Sequence, residues 1–159
     1  MRKLPKRLGA IASLIPEGSK ICDVGTDHAL LPVWLIVNGI CDTAVATDIS
    51  KNCLARAEES ARAYGVHSKI SFYLSDGLKN VPSGAWDTLV IAGMGGETII
   101  DIISEAERIG ARKKFILQPN TKQLELSQFL RGNGFTVTNE VVVRDRHRDY
   151  LIEVAETIF

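Results

Sequence analysis

With 159 residues, 45% hydrophobic and 24% charged, the chain is long enough to bury one core and has the balance of an ordinary globular domain. Its 19 basic residues match its 19 acidic ones, so no global field draws it to nucleic acid, and any basic surface must be local. Cys22, Cys41 and Cys53 are odd in number and lack a C-x-x-C pair, which argues for free thiols in a reducing compartment and suggests no metal site; no apolar run is long enough to cross a membrane as a helix.

The start, Met1 to Arg7 and then an apolar stretch, superficially resembles a signal peptide. Its apolar residues Leu4, Leu8, Ile11 and Ile15 fall on one helical face, however, which predicts an amphipathic lead-in helix within residues 1–18 of a cytoplasmic protein. The spacing then predicts a strand over 21–24, a helix over 29–37 stopped at Asn38-Gly39, and a strand over 43–47 closed by Asp48. A helix over 51–64 ends at Gly65, and a third strand, 69–74, is followed by Ser75-Asp76-Gly77. The fully apolar strand 86–92 runs into Gly93-Met94-Gly95-Gly96, a helix is expected over 97–109, and a strand over 114–117 ends in Gln118-Pro119-Asn120. A helix over 121–131 comes next, and strands 135–143 and 150–155 close the chain with only a charged turn between them. Strands joined so tightly must be antiparallel neighbours. Five β-α units followed by a terminal hairpin make one domain, 1–159, of α/β class. That order matches the class I S-adenosylmethionine-dependent methyltransferase fold, a Rossmann-like, seven-stranded, mostly parallel sheet; an ordinary dinucleotide fold would offer a sixth β-α unit.

In such sheets the ligand lies across the carboxyl ends of the strands, and the loop after the first strand selects it. A dinucleotide site wants G-x-G-x-x-G, whereas Gly25 is followed by Thr26, Asp27, His28 and Ala29. A carboxylate beside a pyrophosphate is repelled, while the sulfonium and ammonium groups of S-adenosyl-L-methionine are cations. The loop suits that cofactor better than NAD. Read alone, Gly25 serves equally well as a turn and Asp27 as a helix cap. The other strand ends extend the argument. Asp48, followed by Ile49, stands where an acid can accept both ribose hydroxyls, and Asp76 with Gly77 where the adenine amino group can be read. Asp23 and Gly25 adjoin the methionine portion; Ala92 and Gly93 border the cofactor, and Met94, Gly95 and Gly96 leave room for a second substrate near the methyl group.

Asp-Val-Gly-Thr-Asp-His-Ala at 23–29 with Leu31-Pro32, Asp76-Gly77-Leu78, Ile-Ala-Gly-Met-Gly-Gly at 91–96 and Leu-Gln-Pro-Asn at 117–120 together resemble the TrmK family of bacterial tRNA (adenine-22-N1)-methyltransferases. The resemblance spans essentially the whole chain and implies methyl transfer to adenine N1 of tRNA. It implies catalytic roles for Asp27 and His28, orienting the base or taking a proton from its amino group, and for Asn120 as a hydrogen-bond partner of the base. Basic residues at Arg2, Lys3, Lys6 and Arg7 and at Arg144, Arg146, His147 and Arg148 become phosphate candidates, Arg7 and Arg146 foremost. The chain departs from the family pattern with Leu30 in place of a tyrosine and Asn52-Cys53 in place of Gly-Pro, and it stops at Phe159 where the family continues into a helical domain implicated in holding tRNA. A methyltransferase for a small molecule or protein, and a non-catalytic cofactor- or RNA-binding relative, are the rival readings.

Overall fold

The computed structural model describes residues 3–104 and 112–157. Helix α1 (Lys6–Ser13) leads into β1 (Ile21–Val24), α2 (Leu30–Val37), β2 (Ala44–Asp48), α3 (Lys51–Ala63) and β3 (Ile70–Leu74). After a short 3-10 turn come β4 (Thr88–Gly95), α4 (Gly96–Ile103), β5 (Lys114–Thr121), α5 (Gln123–Gly132), β6 (Phe135–Asp145) and β7 (Arg148–Thr157). The expected lead-in helix, parallel units and closing hairpin are all present. The expected end of α4 near residue 109, and Arg2, lie outside the described residues.

The seven strands form one sheet in the order β3-β2-β1-β4-β5-β7-β6. The first five run parallel, and β7 is antiparallel to both β5 and β6. The chain winds outward from β1 to β3, then returns to add β4 on the other side of β1. The two halves therefore part at β1 and β4, the place where a parallel sheet opens a crevice at its carboxyl edge.

Alternation along the strands divides the core into two layers. Ile21, Ala44, Ala46, Val90 and Ile116 face α1, α2 and α3, meeting Ile11, Leu35, Ala57 and Ala61. Cys22, Val24, Leu89, Ile91, Phe115 and Leu117 face α4 and α5, meeting Ile99, Ile103, Leu126 and Leu130. Local chemistry sets the helix ends. Ser50 caps α3 by accepting the Cys53 N–H at 3.3 Å, and Gly65 turns left-handed beyond its last residues.

Two strand ends differ from expectation. β4 continues through Gly93, Met94 and Gly95 and pairs with an extended β5, Met94 opposite Pro119 and Gly95 opposite Thr121. Helix α5 consequently begins at Gln123, after a left-handed Lys122, and not at Thr121. Glycine is required at this junction, because a Cβ on Gly96 would stand 2.6 Å from the Lys122 carbonyl oxygen. The run reads as a loop by composition, yet backbone pairing with β5 carries it on as strand.

The hairpin turn is formed by Arg146 and His147, both at positive φ (51° and 66°), the conformation a two-residue hairpin turn of this hand demands. Glycine or asparagine would meet that demand with less strain.

On β7, Glu153 is fully buried, and neither carboxylate oxygen makes a hydrogen bond of ordinary geometry among the described residues. Burial pushes its carboxyl above the usual range. Glu140, opposite it on β6, adds to the rise, while Arg131 and the nearby Ser127 hydroxyl offset part of it. The folded protein thus holds this proton more tightly than the unfolded chain does, and stability falls as pH climbs from the ordinary Glu range through the raised value. Glu153→Gln should stabilise the fold by about 1–3 kcal/mol at pH 8 and change little near pH 4, read as thermal melts across pH. An equal shift at both ends would show that the charge is not the source.

Candidate functional site

The carboxyl edges of β1, β2, β3 and β4 meet two adjoining recesses. Between them runs the β1–α2 connection, residues 25–29. Gly25 leaves β1 at φ +73°, and Asp27 and Ala29 follow at φ 51° and 55°. Ala29, not Asp27, occupies the N-cap position of α2, and no side chain caps that helix. The expected cap role of Asp27 is corrected, because its left-handed backbone turns its N–H away from the helix and toward β2. The loop consumes its own donors. Gly25 and Thr26 N–H both bond the Thr47 carbonyl (2.9 and 3.0 Å), Asp27 N–H bonds Asp48 Oδ2 (3.1 Å), and Ala29 N–H bonds the Thr26 carbonyl (2.9 Å). A loop that spends the N–H groups of Gly25, Thr26, Asp27 and Ala29 in this way offers little to a phosphate.

The first recess, of about 120 Å³, is lined by the apolar Val24, Ile49, Met94 and Ile102 and by the acids Asp48 and Asp76. Asp48 is 8% exposed and accepts the Ser50 N–H on Oδ1 (3.0 Å) and the Asp27 N–H on Oδ2. Each oxygen keeps a further lone pair for a ligand hydroxyl. Ile49, 72% exposed, presents a bare aliphatic surface beside it. Asp76 is held by Lys79 Nζ at 2.8 Å. Apolar walls beside two acids suit a ligand that pairs an apolar body with hydrogen-bond donors. Met94, expected beside a second substrate, belongs to this recess, its Cε reaching the space over Gly25.

The second recess, about 150 Å³, is lined by Arg7, Asp23, Thr26, Asp27, His28 and Ala92 among others. Burial pushes the Asp23 carboxyl up to about 7; a hydrogen bond from Thr26 Oγ1 (2.9 Å) works against the rise, Asp48 adds to it and Arg7 opposes it. At the mouth, Asp27 Oδ1 lies 3.3 Å from Arg56 Nη2 and 3.8 Å from His28 Nε2, all three side chains well exposed. Arg56, on α3, is a site residue the sequence did not disclose. It lies 29 positions from Asp27, and nothing local links the two.

Beyond Ala92 the wall is made by Gly93 and Asn120. Asn120 Nδ2 donates to the Gly93 carbonyl (2.8 Å), and its Oδ1 accepts from Gln118 Nε2 (3.1 Å). Gln118 Oε1 in turn accepts from Arg7 Nη1 (2.7 Å). Gly93 is closely flanked: a Cβ there would lie in van der Waals contact with Arg7 Nη1 (3.6 Å) and Asn120 Nδ2 (4.0 Å). Gly95 and Gly96 make no room for a second substrate: their missing side chains face Thr121 and Lys122 in the β5–α5 connection. Arg7, expected as a phosphate candidate, stands in the cleft wall with its guanidinium over the Tyr150 ring. Arg146 lies at the hairpin tip on the same edge of the sheet, where its neighbour Arg148 donates to the Asn120 carbonyl at 2.8 Å. No group of three His, Cys, Asp or Glu side chains among the described residues gathers as a metal site, and no described helix is long and apolar enough to cross a membrane.

The sequence pattern of the methyltransferase-domain family matches residues 4–152. A tRNA (adenine(22)-N(1))-methyltransferase of Bacillus subtilis is 32% identical over 97% of this chain, which spans 65% of that relative's length. The crystal structure of the B. subtilis M1A22 tRNA methyltransferase TrmK superposes with a TM-score of 0.92 at 32% identity, covering 98% of this chain and 67% of that one. M. capricolum TrmK, solved with S-adenosyl-homocysteine, gives 0.88 at 26% identity over 99% of this chain and 70% of that one.

Because the Thr26 hydroxyl bonds the ionised form of Asp23, Thr26→Val should raise that carboxyl further. A carbon-13 NMR titration of the Asp23 carboxyl reads this directly, and an unchanged midpoint would remove Thr26 from the electrostatics of the cleft.

Proposed function

The chain belongs to the methyltransferase-domain family, in its TrmK branch, and from that premise we propose that it transfers a methyl group from S-adenosyl-L-methionine to N1 of an adenine in tRNA. The observation that carries the reading is the meeting of the two recesses at Gly25, with a loop between them that has spent the N–H groups of Gly25, Thr26, Asp27 and Ala29. A ligand with a hydroxylated heteroaromatic end and a cationic end, and no phosphate, matches that surface. Ile49 and Met94 would hold the adenine faces and Asp76 its amino edge. Asp48 would accept from the ribose hydroxyls, and Asp23 would face the ammonium.

When bound, the cofactor supplies a sulfonium methyl: adenine N1 forms the new N–C bond with its lone pair, the C–S electrons stay on sulfur, and the positive charge passes to the purine with no proton lost. The protein's task is then alignment, which can account for roughly 7–11 kcal/mol of barrier. Asn120, beside the side-chain-free Gly93, would seat the base. Asp27, braced by Arg56, would accept from the amino group and face the charge that develops on the ring, with His28 beside it. Arg146 and Arg7 are cations on the same edge for the RNA backbone. The three free thiols accord with a cytoplasmic setting, where tRNA is processed.

Methyl transfer to total tRNA followed by nucleoside analysis tests the reading, with N1-methyladenosine the expected product. Label appearing in another nucleoside, or only in protein, would replace it. Asp48→Ala should weaken cofactor binding by about 1.5–3 kcal/mol, ten- to a hundredfold, in calorimetry. Unchanged affinity in a folded variant would take Asp48 out of the site. Affinity should also rise between pH 6 and pH 8. Asp23, with its carboxyl near 7, must give up a proton before it can face a cation, so binding below that value releases protons to the buffer. A flat profile would move the ammonium elsewhere.

A further inference from the structure

Gln118 is fully buried, so it cannot touch a substrate, yet it sits in the middle of a side-chain relay that ends at the cleft. The relay has one possible direction. A guanidinium only donates, so Gln118 must turn Oε1 to Arg7 and its amide hydrogens to Asn120 Oδ1 and the Pro119 carbonyl. Asn120 must then turn Oδ1 toward Gln118 and Nδ2 toward the Gly93 carbonyl. What Asn120, only half-buried, has left is one lone pair on Oδ1 and one hydrogen on Nδ2, an acceptor next to a donor, beside Gly93, whose missing side chain keeps a Cβ off the Arg7 and Asn120 side chains. An amide in this state pairs bidentately with N6–H and N7 of adenine. That edge is the one compatible with the chemistry, because N1 is the nucleophile and a protein donor on it would occupy the reacting lone pair.

Resting on the adenine reading above, we infer that Gln118 is a positioning residue: held by Arg7, it locks the Asn120 amide in the orientation that reads the N6/N7 edge of the target adenine and leaves N1 clear. Guanine is disfavoured by the same device, since its O6 would meet Asn120 Oδ1, acceptor against acceptor.

Single-turnover methylation of a tRNA carrying 7-deazaadenosine at the target tests this without any variant. The analogue keeps N1 and the amino group and lacks only the N7 acceptor, so transfer should fall about tenfold, the equivalent of one hydrogen bond. Equal rates on the two bases would overturn the inference while leaving N1 methylation standing; no transfer to adenosine itself would instead sink the underlying reading. Gln118→Glu then separates positioning from packing. A carboxylate keeps the bond to Arg7 and so keeps α1 docked, but it turns the Asn120 amide around. The variant should bind cofactor as the parent does, methylate slowly through a lower kcat, and no longer distinguish adenosine from 7-deazaadenosine. A Gln118→Glu protein that keeps the parent's rate and discrimination would show that Gln118 only braces α1. Should that variant fail to fold, Gln118→Met, of similar volume and unable to orient an amide, should likewise lose the discrimination; keeping it would refute the proposal.

Discussion

The carboxylate of Asp48 is the tie on which the rest of the site depends. It stands at the end of β2, nearly buried, and each oxygen accepts a backbone N–H, one from Ser50 ahead of α3 and one from Asp27 in the β1–α2 loop. Two adjacent strands and the loops that leave them are thereby fastened to a single side chain. Asp27 and Ala29 hold left-handed conformations, which cost energy for residues with a Cβ and persist where the surroundings over-determine them. Asp48 and the Thr47 carbonyl supply that determination. In the proposed function the same carboxylate meets the ribose, so cofactor and target-base residues are linked through one backbone hydrogen bond.

The opposite wall is assembled from the two ends of the chain. Helix α1 begins at a proline that offers no side-chain cap, and Asp145 on β6 accepts the Arg7 N–H at 3.4 Å in its place. Tyr150 then lies under two guanidinium groups, those of Arg7 and Arg148, and Arg148 reaches back to the Asn120 carbonyl. The terminal hairpin thus does more than complete the sheet. By holding α1 it aims Arg7 into the cleft, and its turn sets Arg146, with Arg148 next to it, on the same edge of the sheet.

Both devices place polar groups where burial would penalise them unless they are partnered. Gln118 and Asp23 meet that condition through the Arg7 and Thr26 contacts. Glu153 on β7 makes no hydrogen bond of ordinary geometry among the described residues, and Arg131 and Ser127 offset its burial only in part, so it weakens the fold.

Strand and helix periodicity, the acids after β2 and β3 and the short final turn were legible in the sequence, because each is a local pattern with a local cause. They determined the α/β class, the parallel order with its closing hairpin, and the edge of the sheet where Asp23, Asp48 and Asp76 gather. Tertiary structure decided what depends on partners far along the chain. It turned Asp27 from a helix cap into a group held by Asp48 and Arg56, and carried Gly93 to Gly95 on as strand against β5. It also brought Arg7 against Gln118, 111 positions away, which no local pattern announced. The physical reason is the same each time: where a backbone N–H or a guanidinium finds its acceptor is settled by which strands lie side by side, and no window of neighbouring residues contains that information.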